Sequence, residues 1–235
     1  MDYNKLSISE ATQIQNELRQ HLRFDYPDNL PVHTIAGADI SYNRNSEILY
    51  AAIVLLDYPY MTLKAYALVT GHTTFPYVPG YLAFREVPTL LKAWDLLPEK
   101  PDVLILDGQG ILHPRQMGIA SHFGVLTQQA TIGCGKSSLF GKFKEPQLSK
   151  GSSEFIYNGM EPIGYILRTK DTVKPVYISP GYGLSLIKTL QIMKQSTGRY
   201  RIPEPTRIAH EIVNDFRTGK LKAGYHTKQN PLTLF

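Results

Sequence analysis

The sequence predicts an α/β fold in which helices flank a mixed β-sheet. Three apolar segments, at 32–42, 48–57 and 64–71, follow one another with short connections, as expected of an antiparallel meander. Behind them, helical and strand patterns alternate, which indicates further strands joined through helices. Because no repeat or linker divides the chain, we interpret residues 1–235 as a single domain.

The first element is a helix over 7–22. Ser7 and Glu10 form the capping-box pattern S-x-x-E, which marks a helix start. Apolar residues then recur at helical spacing: Ile8, Ala11, Ile14, Leu18 and Leu22. The loop YPDNLP at 26–31 leads into the first strand.

The meander is followed by a second helix and a fourth strand. Its middle segment, ILYAAIVLLD, is apolar enough to be buried on both faces. A loop at 72–80 precedes a helix over 82–97, and VLIL at 103–106 is the fourth strand.

The second half of the chain is less regular. We expect a short helix near 115–123, either a helix or a strand over 125–133, and an irregular excursion over 138–160. Late strands follow at 164–169 and 175–179.

Two helices complete the predicted fold. The first covers 184–195, and its inner face is expected to consist of Leu184, Ile187, Leu190 and Met193. In the last helix, Pro205 occupies the first turn, where proline is tolerated. The inner face of this helix is expected to consist of Ile208, Ile212 and Phe216.

The composition is that of a globular protein, with 43% hydrophobic and 19% charged residues. The longest apolar runs, such as AAIVLL at 51–56, fall short of the roughly 18 residues that a membrane span needs. The polar N-terminus does not resemble a signal peptide. We therefore expect a cytoplasmic protein without a membrane partner, and we interpret the single Cys134 as a buried apolar residue.

Positive charge is concentrated near the C-terminal end of the chain. The net charge is +5, and residues 188–235 hold nine Lys or Arg against three Asp or Glu. Such a region fits an anionic partner such as nucleic acid, and it also fits a simple solvated basic face.

Two aspartates occupy informative positions in the predicted strands. Asp39 lies between Ala38 and Ile40, where a carboxylate must be paired, hydrogen-bonded or bound to a cation. Asp107 ends the fourth strand, and ligands of open α/β sheets gather at the carboxyl ends of strands. If the first and fourth strands are neighbours, these carboxylates meet, and Glu86 from the second helix can join them.

Three such carboxylates would form a Mg²⁺ site suited to attack on a phosphodiester. Lys136 could hold a phosphate or position the attacking water, and His113 or His210 could act as a base or orient that water. Structural alternatives remain open: Asp107 as a turn residue, Glu86 in a surface ion pair, and His210 as a structural histidine beside an apolar helix face.

The stretch CGKSS at 134–138 is similar to the end of a phosphate-binding P-loop. Ala130 stands where that motif needs its first glycine. We therefore expect no nucleotide cofactor.

The stretch PYVPG at 76–80 predicts a stiff turn, because its two prolines restrict the backbone. Tyr77 lies at the tip of this turn. An exposed tyrosine there can wedge between bases or stack on one. The alternative is a tyrosine that folds back onto the core.

Six stretches of the sequence form a recognisable set. They are GADISY at 37–42, PYVPGYLAFRE at 76–86, DGQGILHPRQMGIASHFGV at 107–125, CGKSSLFG at 134–141, SPG at 179–181 and EPTRIAHE at 204–211. In this order they resemble the endonuclease V family of inosine-directed nucleases. The resemblance implies an RNase H-like fold, with an antiparallel meander followed by parallel strands.

The resemblance implies roles for individual residues in catalysis. Metal-binding carboxylates would be Asp39, Glu86 and Asp107, and catalytic helpers beside the phosphate would be Lys136 and His210. The same comparison implies a reaction that uses Mg²⁺, for which Mn²⁺ can substitute.

The resemblance also implies how a base is recognised. The wedge would be PYVP, with Tyr77 and Pro79, and the hypoxanthine pocket would be lined by Leu82, Gly108, Gly118 and Leu139. We interpret His113 and Arg115 as supports of the turn behind Asp107, with a phosphate contact as the alternative for Arg115.

The implied reaction is hydrolysis of the second phosphodiester on the 3′ side of deoxyinosine in DNA, as a step of DNA repair. The products carry a 3′-hydroxyl and a 5′-phosphate, and no base is removed. Two alternatives stay open, namely inosine in RNA as the substrate, and nucleic-acid binding without catalysis. Family resemblance favours a monomer.

The sequence departs from the family pattern behind SPG. Tyr182 and Gly183 stand where the family usually has a His-Arg pair, and Ile187 and Lys188 stand where an acidic residue is expected. These departures put two properties in doubt, namely the contacts to the nucleic-acid strand and the substrate preference.

Overall fold

The computed structural model describes residues 3–228, which form five α-helices and ten β-strands. The helices are α1 Ile8–Arg19, α2 Leu82–Asp95, α3 Ile119–Thr127, α4 Leu186–Gln195 and α5 Glu204–Arg217. The strands are β1 Thr34–Ser41, β2 Ile48–Asp57, β3 Thr62–His72, β4 Val103–Asp107, β5 Thr131–Gly135, β6 Lys142–Phe143, β7 Ser153–Asn158, β8 Glu161–Leu167, β9 Val176–Tyr182 and β10 Gly224–Thr227.

All ten strands belong to one mixed sheet, in the order β10-β3-β2-β1-β4-β5-β9-β8-β7-β6. The first three strands pair antiparallel, and β1, β4 and β5 are parallel. β9 returns antiparallel against β5, and β8 and β7 continue that pattern outward. The predicted mixed sheet, with a meander followed by parallel strands, is confirmed.

The central strands are apolar because helices cover both of their faces. Side chains of β1 and β4 alternate between two cores. Ala38 and Leu106 pack beneath α2 and α3, whereas Ile35 and Ile105 pack on the opposite side with α4. The carboxyl ends of β1, β4 and β5 are therefore the part of this central sheet left open to a ligand.

The last helix approaches the sheet closely at a glycine. A Cβ on Gly37 would lie 2.0 Å from the carbonyl oxygen of Pro205. Only glycine allows the start of α5 to lie directly on β1. This contact sets the height of α5 above the sheet, and hence the position of His210, which lies about one and a half turns further along the helix.

The predicted helices are present, but several begin or end at residues other than those predicted. The capping box of Ser7 and Glu10 is present, but α1 ends at Arg19 rather than at 22. Ser185 caps α4, so Leu184 precedes that helix. Ile187 is 61% exposed, so its placement on the inner face is wrong.

The true inner face of α4 consists of Thr189, Ile192 and Met193. In α5, Phe216 is buried as predicted, whereas Ile208 and Ile212 are only half-buried. The centre of the α5 face is shifted by one residue, to Ala209 and Val213.

The segment 108–160 departs most from prediction. The helix expected near 115–123 begins at Ile119, because the preceding residues fold back as a loop. The undecided segment 125–133 holds the end of α3 and the start of β5. Two strands, β6 and β7, lie within the supposed irregular excursion 138–160, and β10 was not predicted.

Cys134 is buried, as expected. Among residues 3–228, none of the helices combines the length and apolar character required to cross a bilayer.

Candidate active site

A cavity of about 530 Å³ opens at the carboxyl ends of β1, β4 and β5. Asp39 comes from β1, Asp107 from the end of β4, and Lys136 directly follows β5. Glu86 reaches the cavity from α2. The remaining walls are the loops at 77–82, 108–119 and 135–139.

The carboxylates meet because of strand register. β1 and β4 are parallel neighbours with Ala38 opposite Leu106, so Asp39 and Asp107 are the next residues along their strands. Burial raises the pKa of Glu86 well above its ordinary value, and repulsion from Asp39 and Asp107 adds to this effect. Burial and the Asp39 charge also raise the pKa of Asp107. The three carboxylates therefore place more negative charge in the site than the surrounding groups can stabilise.

Two cationic side chains partly balance this charge. Lys136 Nζ forms an ion pair with Asp107, and His210 Nδ1 lies 2.7 Å from Asp39 Oδ2. The hydrogen bond to Asp39 raises the pKa of His210. Burial alone would lower the pKa of Lys136, but the charge of Asp107 and the hydrogen bond to it leave that pKa raised. The structure therefore brings all five predicted catalytic residues to one place.

The three carboxylates offer hard oxygen donors, which is the ligand chemistry that Mg²⁺ and Mn²⁺ prefer. As the side chains of residues 3–228 are oriented, no group of three or more His, Cys, Asp or Glu is arranged as a ready-made metal site. Two of the carboxylates are instead paired with Lys136 and His210. The donor set and its excess negative charge fit a divalent cation.

The PYVPG loop presents its tyrosine to solvent. Tyr77 is 67% exposed, so the alternative in which this ring folds back onto the core is wrong. Pro79 is also exposed, and both residues line the cavity. A rigid aromatic tip thus borders the carboxylate site.

The four predicted pocket residues line the same cavity: Leu82, Gly108, Gly118 and Leu139. A Cβ on Gly118 would lie 2.2 Å from the carbonyl oxygen of Gln109, and one on Gly108 would lie 2.6 Å from the Ile119 side chain. Gly108 also has φ of +151°. Glycine is needed at both positions, and it leaves bare backbone facing the cavity.

His113 and Arg115 support the end of the PYVPG loop. His113 Nε2 donates to the Gly80 carbonyl at 2.9 Å, and its Nδ1 accepts from the Arg115 backbone N–H at 3.1 Å. Burial lowers the pKa of His113 to about 4, so the ring is neutral near pH 7. The Arg115 guanidinium stacks over Tyr81, 4.5 Å from the ring centroid. Both side chains therefore brace the PYVPG loop at Gly80, whereas the prediction placed their support at the turn behind Asp107.

Several cavity residues were not predicted. Tyr42 lines the cavity at the end of GADISY, three residues after the motif's aspartate. Gln109 donates to the Ser137 carbonyl at 2.9 Å and lies across Gly135. Both belong to stretches already singled out, so their proximity to Asp39 and Asp107 was an available signal.

The departures behind SPG lie away from the cavity. Tyr182 pairs with Thr131 at the start of β5, whereas Lys136 follows the end of that strand. The buried Tyr182 packs edge-on against Tyr26, and Gly183 has φ of +80° and donates to the Arg23 carbonyl at 2.7 Å. Tyr182 and Gly183 therefore take part in packing at the end of β5 that lies opposite the cavity.

The Endonuclease V family model matches residues 15–211. The chain is 41% identical to Endonuclease V of Nostoc punctiforme over 209 residues, which covers 88% of this chain and 94% of that protein. It is 40% identical to Endonuclease V of Dictyoglomus thermophilum over 216 residues, covering 89% and 93% of the two chains.

Solved structures give the same result. Endonuclease V from Streptomyces avermitilis superposes with a TM-score of 0.85 at 37% identity, covering 92% of this chain and 96% of that one. Ciona intestinalis Endonuclease V, in complex with a 24mer DNA containing an inosine followed by a ribo-adenosine, superposes with a TM-score of 0.79 at 27% identity, covering 91% and 99%. The similarity to these neighbours is consistent with an RNase H-like fold.

Proposed function

Because the chain belongs to the endonuclease V family and is a nuclease of that type, we propose that it cleaves DNA beside deoxyinosine, the product of adenine deamination. The cut falls at the second phosphodiester on the 3′ side and leaves a 3′-hydroxyl and a 5′-phosphate. One observation carries the proposal: a carboxylate cluster, a glycine-lined pocket and an exposed tyrosine share one cavity. The enzyme acts as a monomeric single domain in this proposal.

Asp39, Glu86 and Asp107 would hold a divalent metal, Mg²⁺ or Mn²⁺. The raised pKa values of Glu86 and Asp107 support this role, since a cation would offset both the burial and the mutual repulsion that cause them. A bound divalent ion would supply charge stabilisation at the phosphate and acidify a water molecule. Asp39 also accepts the Ile40 backbone N–H at 2.9 Å, which fixes one of its oxygens.

Lys136 would hold the scissile phosphate. Its ammonium group is about half exposed at the mouth of the cavity, so a phosphate oxygen can reach it. Asp107 accepts a hydrogen bond from this ammonium, which keeps it at the site. Lysine here serves as a point charge rather than as a base, because its pKa is raised.

His210 would orient Asp39 and donate a proton or hydrogen bond at the reacting phosphate. The hydrogen bond to Asp39 raises the pKa of His210, which stabilises the protonated ring. This favours a donor over a general base. In the structure Asn214 Nδ2 lies 3.2 Å from the second ring nitrogen, Nε2, which can only accept from that amide; donation to the phosphate therefore requires this contact to open.

The base would leave the stack and enter the glycine-lined pocket. Tyr77 takes its place in the strand, and the backbone at Gly108 and Gly118 reads the edge of the purine. A flipped base exposes its Watson–Crick edge, which backbone N–H and C=O groups can recognise without a side chain. Leu82 and Leu139 contact its apolar faces.

Inosine in RNA is the second candidate substrate. The Ciona relative was solved with an inosine followed by a ribo-adenosine, so that protein accommodates a 2′-hydroxyl next to inosine. The same nucleotide in this cavity would bring a ribose close to the cut. A binding module without catalysis is disfavoured, because all five charged residues of the cluster are present.

The test is cleavage of an end-labelled strand that carries one deoxyinosine, with Mg²⁺ and with EDTA. We expect a single Mg²⁺-dependent cut one nucleotide beyond the lesion, and no cut in a matched deoxyadenosine strand. A matched RNA strand is assayed in parallel to compare the sugars. Binding without cleavage of either strand, even with Mn²⁺, would overturn the proposal in favour of an inactive binder.

A further inference from the structure

One backbone carbonyl, that of Gly80, accepts three side-chain hydrogen bonds. Gln15 Nε2 lies 3.0 Å from it, His113 Nε2 2.9 Å and Arg115 Nη2 3.2 Å. Gly80 has φ of +85° and ends the PYVPG loop immediately before α2. This concentration of donors fixes the base of the loop that carries Tyr77.

Gln15 stands out among these donors because it belongs to α1, which does not line the cavity. Its side chain is fully buried on the face between Ala11 and Leu18, where the helical pattern predicts an apolar residue. Burying an amide is costly unless both of its ends are hydrogen-bonded. Gln15 Oε1 accepts from Arg115 Nε, so both ends are used.

The amide of Gln15 also bonds to the backbone that forms the opposite wall of the cavity. Its Nε2 lies 3.3 Å from the carbonyl oxygen of Met117. Met117 directly precedes Gly118, the N-cap of α3 and a wall of the glycine-lined pocket. A single NH₂ group thus joins the base of the Tyr77 loop to the wall of the pocket.

We infer that Gln15 is a positioning residue that sets the separation between the tyrosine wedge and the base pocket. This inference rests on the proposed function, and it concerns selectivity for the displaced base. Gln15 does not reach the cavity itself and acts through Gly80 and Met117.

The effect of Gln15 should be separable from the chemistry of cleavage. The carboxylates of Asp39 and Asp107 are fixed by paired strands, which Gln15 does not touch. Removing its amide frees the Met117 carbonyl and leaves Arg115 Nε without its acceptor, while His113 and Arg115 Nη2 still bond to Gly80. The wedge and the pocket can then move relative to each other, so lesion recognition weakens while a bound strand is still cut.

The experiment compares Gln15→Met with Gln13→Met. Methionine matches the length of glutamine and makes none of its hydrogen bonds, and Gln13 is exposed on the same helix, bonded only to Glu17. KM and kcat are measured on a deoxyinosine strand and on a strand with deoxyguanosine at that position, which differs by one amino group. For Q15M we expect KM to rise about tenfold, kcat to stay within about twofold, and the preference for inosine to fall about tenfold. Q13M should behave as the wild type.

A second readout does not depend on cleavage. In EDTA, a fluorescent adenine analogue placed next to the inosine reports unstacking when the protein binds. The wild type should brighten it, and Q15M should brighten it less at saturating protein. If Q15M fails to fold, Gln15→Glu replaces it with the same expectation, because a carboxylate accepts from Arg115 but cannot donate to the two carbonyls.

The possible outcomes distinguish a failure of the proposed function from a failure of the role of Gln15. A wild type that neither cuts nor prefers inosine in binding overturns the proposed function, and this inference with it. The role of Gln15 alone is overturned if the wild type shows that preference and a folded Q15M keeps the wild-type KM, preference and fluorescence. A Q15M variant that loses kcat at unchanged KM also overturns it.

Discussion

Replacing Gly37 with alanine tests whether close packing of α5 on β1 holds His210 against Asp39. The new Cβ would lie 2.0 Å from the Pro205 carbonyl oxygen and 2.8 Å from the Thr206 nitrogen. Both are backbone atoms, so no side chain can rotate away. The start of α5 must therefore move outward by about 1 Å or more to restore ordinary van der Waals contact at about 3.5 Å.

Two costs follow from this movement. Overpacking of a close contact costs about 1–3 kcal/mol. The bond between His210 Nδ1 and Asp39, 2.7 Å long, would stretch beyond hydrogen-bonding range. Because the imidazole is more than half exposed, this loss adds only about 1 kcal/mol. We expect the free energy of unfolding to fall by about 2–4 kcal/mol, which at roughly 2–4 °C per kcal/mol lowers Tm by about 10 °C.

The assay is thermal unfolding followed by circular dichroism, with cleavage of the deoxyinosine strand at a temperature where both proteins are folded. Gly159→Ala is the control, because nothing lies within 4 Å of its Cβ and its φ of +61° costs only about 1 kcal/mol. Cleavage by G37A should fall along with Tm. A G37A protein that melts within about 2 °C of the wild type would contradict the reasoning, since α5 would then have room to spare.

Three further outcomes are expected. Asp107→Ala should abolish cleavage with the fold preserved, as seen by circular dichroism; residual cutting at the wild-type rate would remove Asp107 from the metal site. Tyr77→Ala should weaken binding to the inosine strand by roughly 1–3 kcal/mol in fluorescence anisotropy, whereas Tyr60→Ala, at an 84% exposed position, should not. Burial lowers the pKa of His122 to about 3 and that of His113 to about 4, so both stay neutral in the folded protein while the unfolded chain takes up protons below about pH 6.5. The contribution of these two rings to stability should therefore be constant above that pH and fall by about 2 kcal/mol per histidine by pH 5, seen in denaturant titrations as a loss that the His122→Gln variant shares only in part; an equal loss between pH 7 and pH 5 in the wild type and this variant would show that the His122 ring is not held neutral.

The sequence is informative about the site where local context is unusual. Asp39 interrupts a buried strand and Asp107 ends one, so the physical cost of a buried carboxylate marks both. Glu86 carries no such mark, because a glutamate on a helix is ordinary. Its place in the cluster depends on where α2 packs, so the sequence offered it only as a residue that could reach the two aspartates, until the family resemblance assigned it a role.

Long-range contacts account for most of what was missed. The β10 sequence, GYHT, has no clear alternation of apolar and polar residues, and this segment forms a strand because β3 offers it a free edge. Ile187 was placed on the inner face of α4 by periodicity, but the buried face is centred on Thr189, Ile192 and Met193, which leaves the Ile187 side chain in solvent. Gln15 is different, since a polar residue on the apolar face of α1 was visible in the sequence and its partners were not.

The two outermost strands bear on how the protein stays dispersed. Within residues 3–228, the sheet is bounded on one side by β10, with four residues, and on the other by β6, with two. A sheet edge attracts another chain in proportion to the length of unpaired backbone it presents. β10 covers residues 65–68 in the middle of β3, and β6 covers residues 156–157 of β7, so each border divides what would be a long template for aggregation into shorter lengths.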